Sequence, residues 1–186
     1  MAGITTGTFI AAAVLAVLFR FCRSDVILSL AVTAGTTCYH FAMRLLTGLA
    51  YDVFMKNRAD YRKARYSLKP WEPALYRKLR VRYWKGKLPT YDPELFDTEK
   101  RTLDEIAQAT CQAELVHETI AVLSFLPIAA GIWLGNTGVF VITSVLAAGI
   151  DLLFVIVQRY NRPRIIQLIE RKARNRKESS RTANGN

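Results

Sequence analysis

The stretch Val155-Ile156-Val157-Gln158-Arg159-Tyr160-Asn161-Arg162-Pro163-Arg164 decides how the rest of the chain is read. A long apolar run ends there in a polar, basic cluster. At about 1.5 Å per residue, residues 139–157 suffice to cross a hydrocarbon core of about 30 Å. Lysine or arginine alone would satisfy the preference for positive charge on the cytoplasmic side. Gln158, Tyr160, Asn161 and Pro163 go beyond it. Pro163 fixes its own φ and disfavours helical geometry at Arg162, which predicts a turn. A turn gathering these groups at a membrane surface suits an anionic or polyhydroxyl headgroup. A decorated anchor with no ligand accounts for the same residues.

Three further apolar runs lie outward from this stretch, at residues 4–21, 26–54 and 119–134. With 139–157 they predict an all-α integral membrane protein of about four spans. Of 186 residues, 51% are hydrophobic and 22% charged. The two populations are segregated, as in membrane proteins. The net charge of +11 flanks the apolar runs, where anionic lipid headgroups and topology explain it better than nucleic acid, and no nucleic-acid partner is expected. Cys22, Cys38 and Cys111 form no paired motif, so neither disulfides nor structural zinc is expected.

The first run lacks the basic start of a secretory signal and reads as a span. The second carries Thr33, Thr36, Thr37, His40, Arg44, Thr47 and Tyr51 at three- and four-residue steps, one polar helical face. An arginine near mid-membrane costs about 3 kcal/mol on insertion scales, so such residues usually face a bundle interior or wet cavity. Snorkelling of Arg44 and simple packing of His40 is the plainer alternative.

The loop at residues 55–118 is strongly basic up to Lys87 and is expected on the cytoplasmic side, with both termini cytoplasmic and the protein multi-pass in the cell membrane. Trp71, Leu75, Leu79 and Tyr83 recur at four-residue steps among basic residues, predicting a short interfacial amphipathic helix with Pro73 in its first turn. Residues 90–98 read as turn, with Asp97 or Thr98 capping a helix that continues toward the third span. Gly135-Asn136-Thr137-Gly138 reads as a tight turn. Residues 1–178 are expected to form one membrane domain, and 179–186 a disordered tail.

Glu114-x-x-His117-Glu118 stands on one helical face and supports three chemistries. A histidine oriented by a carboxylate can take a hydroxyl proton during acyl transfer. Glu-x-x-His is also a di-iron ligand pattern, but His40 and His117 are the only histidines, so no metal or resident cofactor is expected. The third reading is a helix end with satisfied polar groups. No nucleophile elbow, phosphate loop or deaminase signature is present.

Three stretches occur in order: Val81-Arg82-Tyr83-Trp84-Lys85-Gly86-Lys87, Ala113-Glu114-Leu115-Val116-His117, and Ile156 to Arg164. Over residues of about 75–172 the chain thereby resembles the glycosyl-4,4′-diaponeurosporenoate acyltransferases, small membrane proteins of the staphyloxanthin carotenoid pathway. The resemblance implies transfer of a fatty acyl group, from acyl-CoA as co-substrate, onto a sugar hydroxyl of a membrane glycolipid. It implies His117 as general base oriented by Glu114. Gln158, Asn161, Arg162 and Arg164 would hold headgroup or oxyanion. Trp84, Lys85 and Lys87 would meet the CoA phosphates. Glu118 stands where the family pattern has an aromatic residue. His40 and Arg44, as cavity-lining residues, rest on the polar-face argument only. The carotenoid is the least transferable part, since one fold serves many glycolipids. The competing expectation is a non-enzymatic membrane scaffold or small transporter subunit using the buried His40/Arg44 face.

Overall fold

The computed structural model describes residues 2–89, 93–134 and 137–183. Among these the regular structure is entirely helical: α1 (Ala2–Cys22), α2 (Asp25–Met55), α3 (Glu72–Lys78), α4 (Val81–Trp84), α5 (Leu103–Leu123), α6 (Leu126–Leu134) and α7 (Thr137–Ala183), with short 3₁₀ turns between α2 and α5. Four stretches are long and apolar enough to cross a membrane: Ala2–Cys22, Asp25–Met55, Leu103–Trp133 and Thr137–Ser180. They match the four expected spans, the third to within one residue, and the all-α membrane class is the one observed.

The chain divides into two compact units, Met1–Phe54 with Val116–Leu153, and Met55–Leu115 with Phe154–Asn186. In the first unit α1 buries no residue and exposes Phe9, Val14 and Phe21, as a lipid-facing helix does. Its tie to α2 includes the Cys38 thiol on the Thr5 carbonyl, 3.7 Å. In α2 the buried face is Val32, Thr36, His40, Met43 and Thr47; of the polar face read from the sequence it takes Thr36, His40 and Thr47, while Thr33 is exposed. Tyr39 donates to the Leu123 carbonyl at 2.8 Å, satisfying an acceptor at the end of α5. The chain breaks between α5 and α6 just before Pro127, which falls in the first turn of the new helix, where proline is tolerated. Gly131 lets α6 approach α7 closely, for an added Cβ would meet the Phe140 ring at 3.1 Å.

The second unit has a core of Ala59, Tyr61, Tyr66, Ala107 and Cys111, with Ile165, Ile166 and Ile169 of α7 packed on it. The predicted interfacial helix is two pieces, α3 and α4. Arg80 takes a left-handed conformation (φ 51°, ψ 40°) and separates them. Trp71, Leu79 and Tyr83 are nevertheless exposed, as an interfacial surface requires. Helix α5 starts one turn later than the Asp97/Thr98 cap predicts. Thr102 and Glu105 form a reciprocal capping box, the Glu105 carboxylate accepting from the Thr102 N–H at 2.8 Å and Thr102 Oγ1 from the Glu105 N–H at 3.2 Å.

The turn expected at Pro163 does not occur: α7 runs through it. Proline removes one helical hydrogen bond and crowds the carbonyl four residues back. Arg162 holds the segment in place against that cost. Its Nε donates to Thr110 Oγ1 (3.0 Å) and its Nη2 to the Thr110 carbonyl (2.9 Å), clamping α7 to α5 across the proline. At the C-terminus α7 continues to Ala183, and residues 184–186 of the expected tail lie outside the described residues. Gly135 and Asn136 of the expected tight turn lie outside them as well.

Candidate functional site

The chemistry-bearing side chains form two clusters, one in each unit. The first unit's cluster is centred on Asp151, which α7 carries on its buried face with Ser144, Ala147 and Ala148. One Asp151 carboxylate oxygen lies 2.9 Å from His117 Nδ1 on α5, and the other pairs with the Arg44 guanidinium on α2. Arg44 also donates to the carbonyls of His40 (3.1 Å) and Ala147 (3.2 Å). The intramembrane arginine thus neither snorkels nor stands alone. A buried counter-charge and two carbonyls compensate it, as a low-dielectric site demands. His40 is buried, edge-on to the Tyr39 ring, and neither ring nitrogen has a hydrogen-bond partner among the described residues. The Ser144 hydroxyl is likewise buried without one.

The second unit's cluster is centred on Arg159. Its guanidinium bridges two buried carboxylates, Glu72 (Nε to Oε1, 2.8 Å) and Glu114 (Nη1 to Oε1, 2.6 Å). It also donates to the carbonyls of Arg65 (3.3 Å) and Ser67 (3.2 Å). Arg162 closes the group, with Nη2 2.5 Å from Glu114 Oε2 and its guanidinium over the Tyr66 ring. Charges so paired and hydrogen-bonded can stay buried, and breaking one pair would leave the others uncompensated. The Tyr76 hydroxyl donates to Glu72 at 3.1 Å, and burial with that carboxylate raises its phenol pKa.

A rim lies around this core. Lys85 donates to Asn161 Oδ1 at 2.6 Å and sits over the Tyr160 ring. Burial first, then the Arg164 guanidinium, lowers the pKa of this ammonium group. Arg164 stacks on Tyr160 (4.1 Å to the ring centroid) and donates to its hydroxyl at 2.6 Å. Trp84 donates its indole N–H to the Leu79 carbonyl at 2.8 Å. Gln158 is half-buried and Lys87 exposed.

Set against the expected roles, His117, His40 and Arg44 belong to the first unit and Glu114, Lys85, Asn161, Arg162 and Arg164 to the second. Asp151 is a carboxylate at hydrogen-bond distance from the His117 ring. Glu114, expected to orient it, is engaged by Arg159 and Arg162. The physical reason is charge: a fully buried carboxylate gains more from two guanidinium groups than from one imidazole. Asp151, Glu72 and Arg159 were not among the predicted site residues. Asp151 had a signal in the sequence, because an intramembrane carboxylate and an intramembrane arginine usually find each other.

Four helices long and apolar enough to cross a membrane, a half-buried histidine on the buried Asp151 carboxylate in one unit and an arginine-clamped second unit fit an integral membrane protein with polar groups suited to lipid chemistry. The chain belongs to the glycosyl-4,4′-diaponeurosporenoate acyltransferase family, whose family model matches residues 58–171, more than half its length. No curated protein and no solved structure matches it.

Proposed function

We propose that the protein is a membrane acyltransferase that moves a fatty acyl group from acyl-CoA onto a sugar hydroxyl of a membrane glycolipid. Family membership over residues 58–171 carries this reading. The His117–Asp151 contact of 2.9 Å supports the chemistry. With Nδ1–H donated to Asp151, the basic lone pair of the imidazole is on Nε2. His117 takes the proton of the acceptor hydroxyl through that atom. The oxygen attacks the thioester carbonyl carbon and the carbon–sulfur bond breaks. The departing thiolate takes the proton back from the imidazolium, leaving an ester and a free thiol. Asp151 is a positioning residue: it fixes the tautomer and stabilises the imidazolium, while Arg44 pairs with its other carboxylate oxygen.

In the second unit, Glu114, Arg159 and Arg162 form the frame. The rim residues Lys85, Asn161, Tyr160 and Arg164, with Gln158, meet the sugar headgroup. Exposed Lys87, with Trp84, meets the donor phosphates. The membrane is the cell membrane, with both termini cytoplasmic. A glycosylated carotenoid is the acceptor that the family name favours.

The saturated Glu72–Arg159–Glu114–Arg162 group is also what a non-catalytic scaffold would use to brace its helices. Purified protein in lipid nanodiscs, given acyl-CoA and a glycosylated lipid, separates the two readings. Release of free thiol in step with acylated glycolipid, abolished in His117→Ala, supports the enzyme. No thiol release by a folded wild type with any glycolipid offered supports the scaffold.

A further inference from the structure

The second unit holds a basic cavity that the reaction above leaves unused. Helix α2 ends at Met55, and the next two residues, Lys56 (φ 51°) and Asn57 (φ 56°), are both left-handed. Neither is glycine; asparagine tolerates the conformation, but for Lys56 it is costly. The turn is pinned, because the Asn57 N–H donates to the buried Gln112 Oε1 at 2.7 Å and the Arg58 N–H to the Met55 carbonyl at 2.8 Å. The result is a cavity of about 280 Å³ walled by Lys56, Asn57, Arg58, Arg101, Glu105 and Gln108.

Its charge is unbalanced. Glu105 is the one carboxylate among those six residues, and it already serves the α5 capping box and an ion pair with Arg101 at 3.6 Å. Among the described residues, the Lys56 ammonium and Arg58 guanidinium have no hydrogen-bond or ion-pair partner. Other cations of this unit do: Lys85 is on Asn161, Arg159 on Glu72 and Glu114, Arg164 on Tyr160. A second cavity of about 440 Å³ shares Arg58 and Gln108 with the first; there Asp60 and Asp104 balance Arg58 and Arg62, so the excess of positive charge belongs to the first cavity. Lys56 and Arg58 at the pinned turn and Arg101 just before α5 wall one concavity, unlike three cations spread over a solvated surface. A concavity focuses their field on whatever enters. The matching group is one with several acceptor oxygens and more than one negative charge.

We propose that the Lys56–Arg58–Arg101 cavity binds a phosphate group. Two carriers share that chemistry: a soluble nucleotide bearing a phosphomonoester, as the acyl donor of the proposed reaction does, and a phosphomonoester lipid headgroup. Phosphate binding does not depend on acyl transfer. Only the first carrier does.

The test uses the full-length chain in zwitterionic phosphatidylcholine nanodiscs, wild type and Arg58→Gln/Arg101→Gln. Both side chains are exposed, so the variant is expected to keep the helical content and melting temperature of wild type. Arg77→Gln/Arg82→Gln, also exposed, removes the same charge elsewhere in the unit and serves as control. Calorimetric titration with adenosine 3′,5′-bisphosphate tests the soluble carrier. Thermal stabilisation on adding phosphatidic acid to the nanodisc tests the headgroup. Saturable binding of the bisphosphate that weakens tenfold or more in the cavity variant, but not in the control, supports the site with a nucleotide carrier. The same pattern with phosphatidic acid supports it with a lipid carrier and detaches it from the acyl donor. Failure of both probes on wild type, or equal effects on variant and control, overturns the proposal. Turnover lost in His117→Ala while bisphosphate binding persists would leave this site standing apart from the catalytic reading.

Discussion

His117 Nδ1 lies 2.9 Å from Asp151 Oδ1, so an apolar span contributes the carboxylate that orients the one histidine of α5. The other oxygen of the same carboxylate is taken by Arg44, and three helices meet at one anion.

Substituting Asp151 alone should therefore do two things. Asp151→Asn removes the charge that fixes the His117 tautomer, and turnover should fall about 10³- to 10⁴-fold. It also leaves Arg44 unpaired, at a cost of about 3–5 kcal/mol. The double change Arg44→Leu/Asp151→Leu removes both charges and should recover most of that stability without recovering turnover. Thermal unfolding in detergent beside a thiol-release assay reads the two effects separately.

Glu114 gives the opposite pattern. Its carboxylate is fully buried and joins Arg159 (2.6 Å) to Arg162 (2.5 Å). Glu114→Ala should destabilise the second unit by about 3–5 kcal/mol and lower the amount of folded protein. His117→Ala should leave the melting temperature near wild type and remove turnover. Equal turnover per folded molecule in wild type and Glu114→Ala would confirm a framework role. A chemical defect in a fully stable Glu114 variant would return that residue to the catalytic apparatus.

The fold was legible in the sequence where a local signal carried it. Four apolar runs, the polar face from Thr36 to Thr47 and the break at Pro127 follow from hydropathy, periodicity and proline chemistry. Pro163 misled because its local effect is real but small beside the four groups that grip Arg162. Those partners, Tyr66, Thr110 and Glu114, lie far away in sequence. The left-handed Arg80 that splits the interfacial helix carries no sequence signal at all, being neither glycine nor asparagine. The site divides the same way. The residue types Arg44, Glu114, His117 and Arg162 stood out by being polar in or beside apolar runs. Who pairs with whom did not, because ion-pair partners are set by the tertiary fold.

Tyr76 gives a pH test of the second unit. Burial and Glu72 raise its phenol pKa above the ordinary 10.0. The folded state then holds the proton more tightly than the unfolded chain. The stabilisation is fully present below pH 10.0 and is lost as pH rises through the folded value. Tyr76→Phe should cost about 1.5–3 kcal/mol at neutral pH, the worth of a hydrogen bond to a charged group. The gap between the two proteins should stay constant up to that pH and narrow above it. Denaturant unfolding at stepped alkaline pH measures it, and a gap that widens with pH would contradict the assignment.

Pro163 supplies a stability test of α7. A proline inside a helix costs about 3 kcal/mol relative to alanine, so Pro163→Ala should raise the melting temperature. A lower melting temperature would contradict this and show that Pro163 helps aim Arg159 and Arg162.

The most direct measurement is a mass-spectrometric comparison of lipid extracts from cells expressing wild type, His117→Ala or Asp151→Asn, with a glycosylated lipid acceptor available to all three. The account predicts a glycolipid heavier by one acyl chain with wild type, and its loss or near-loss in both variants, while each protein accumulates in the membrane. Identical extracts from all three, or full acylation by His117→Ala, would contradict it.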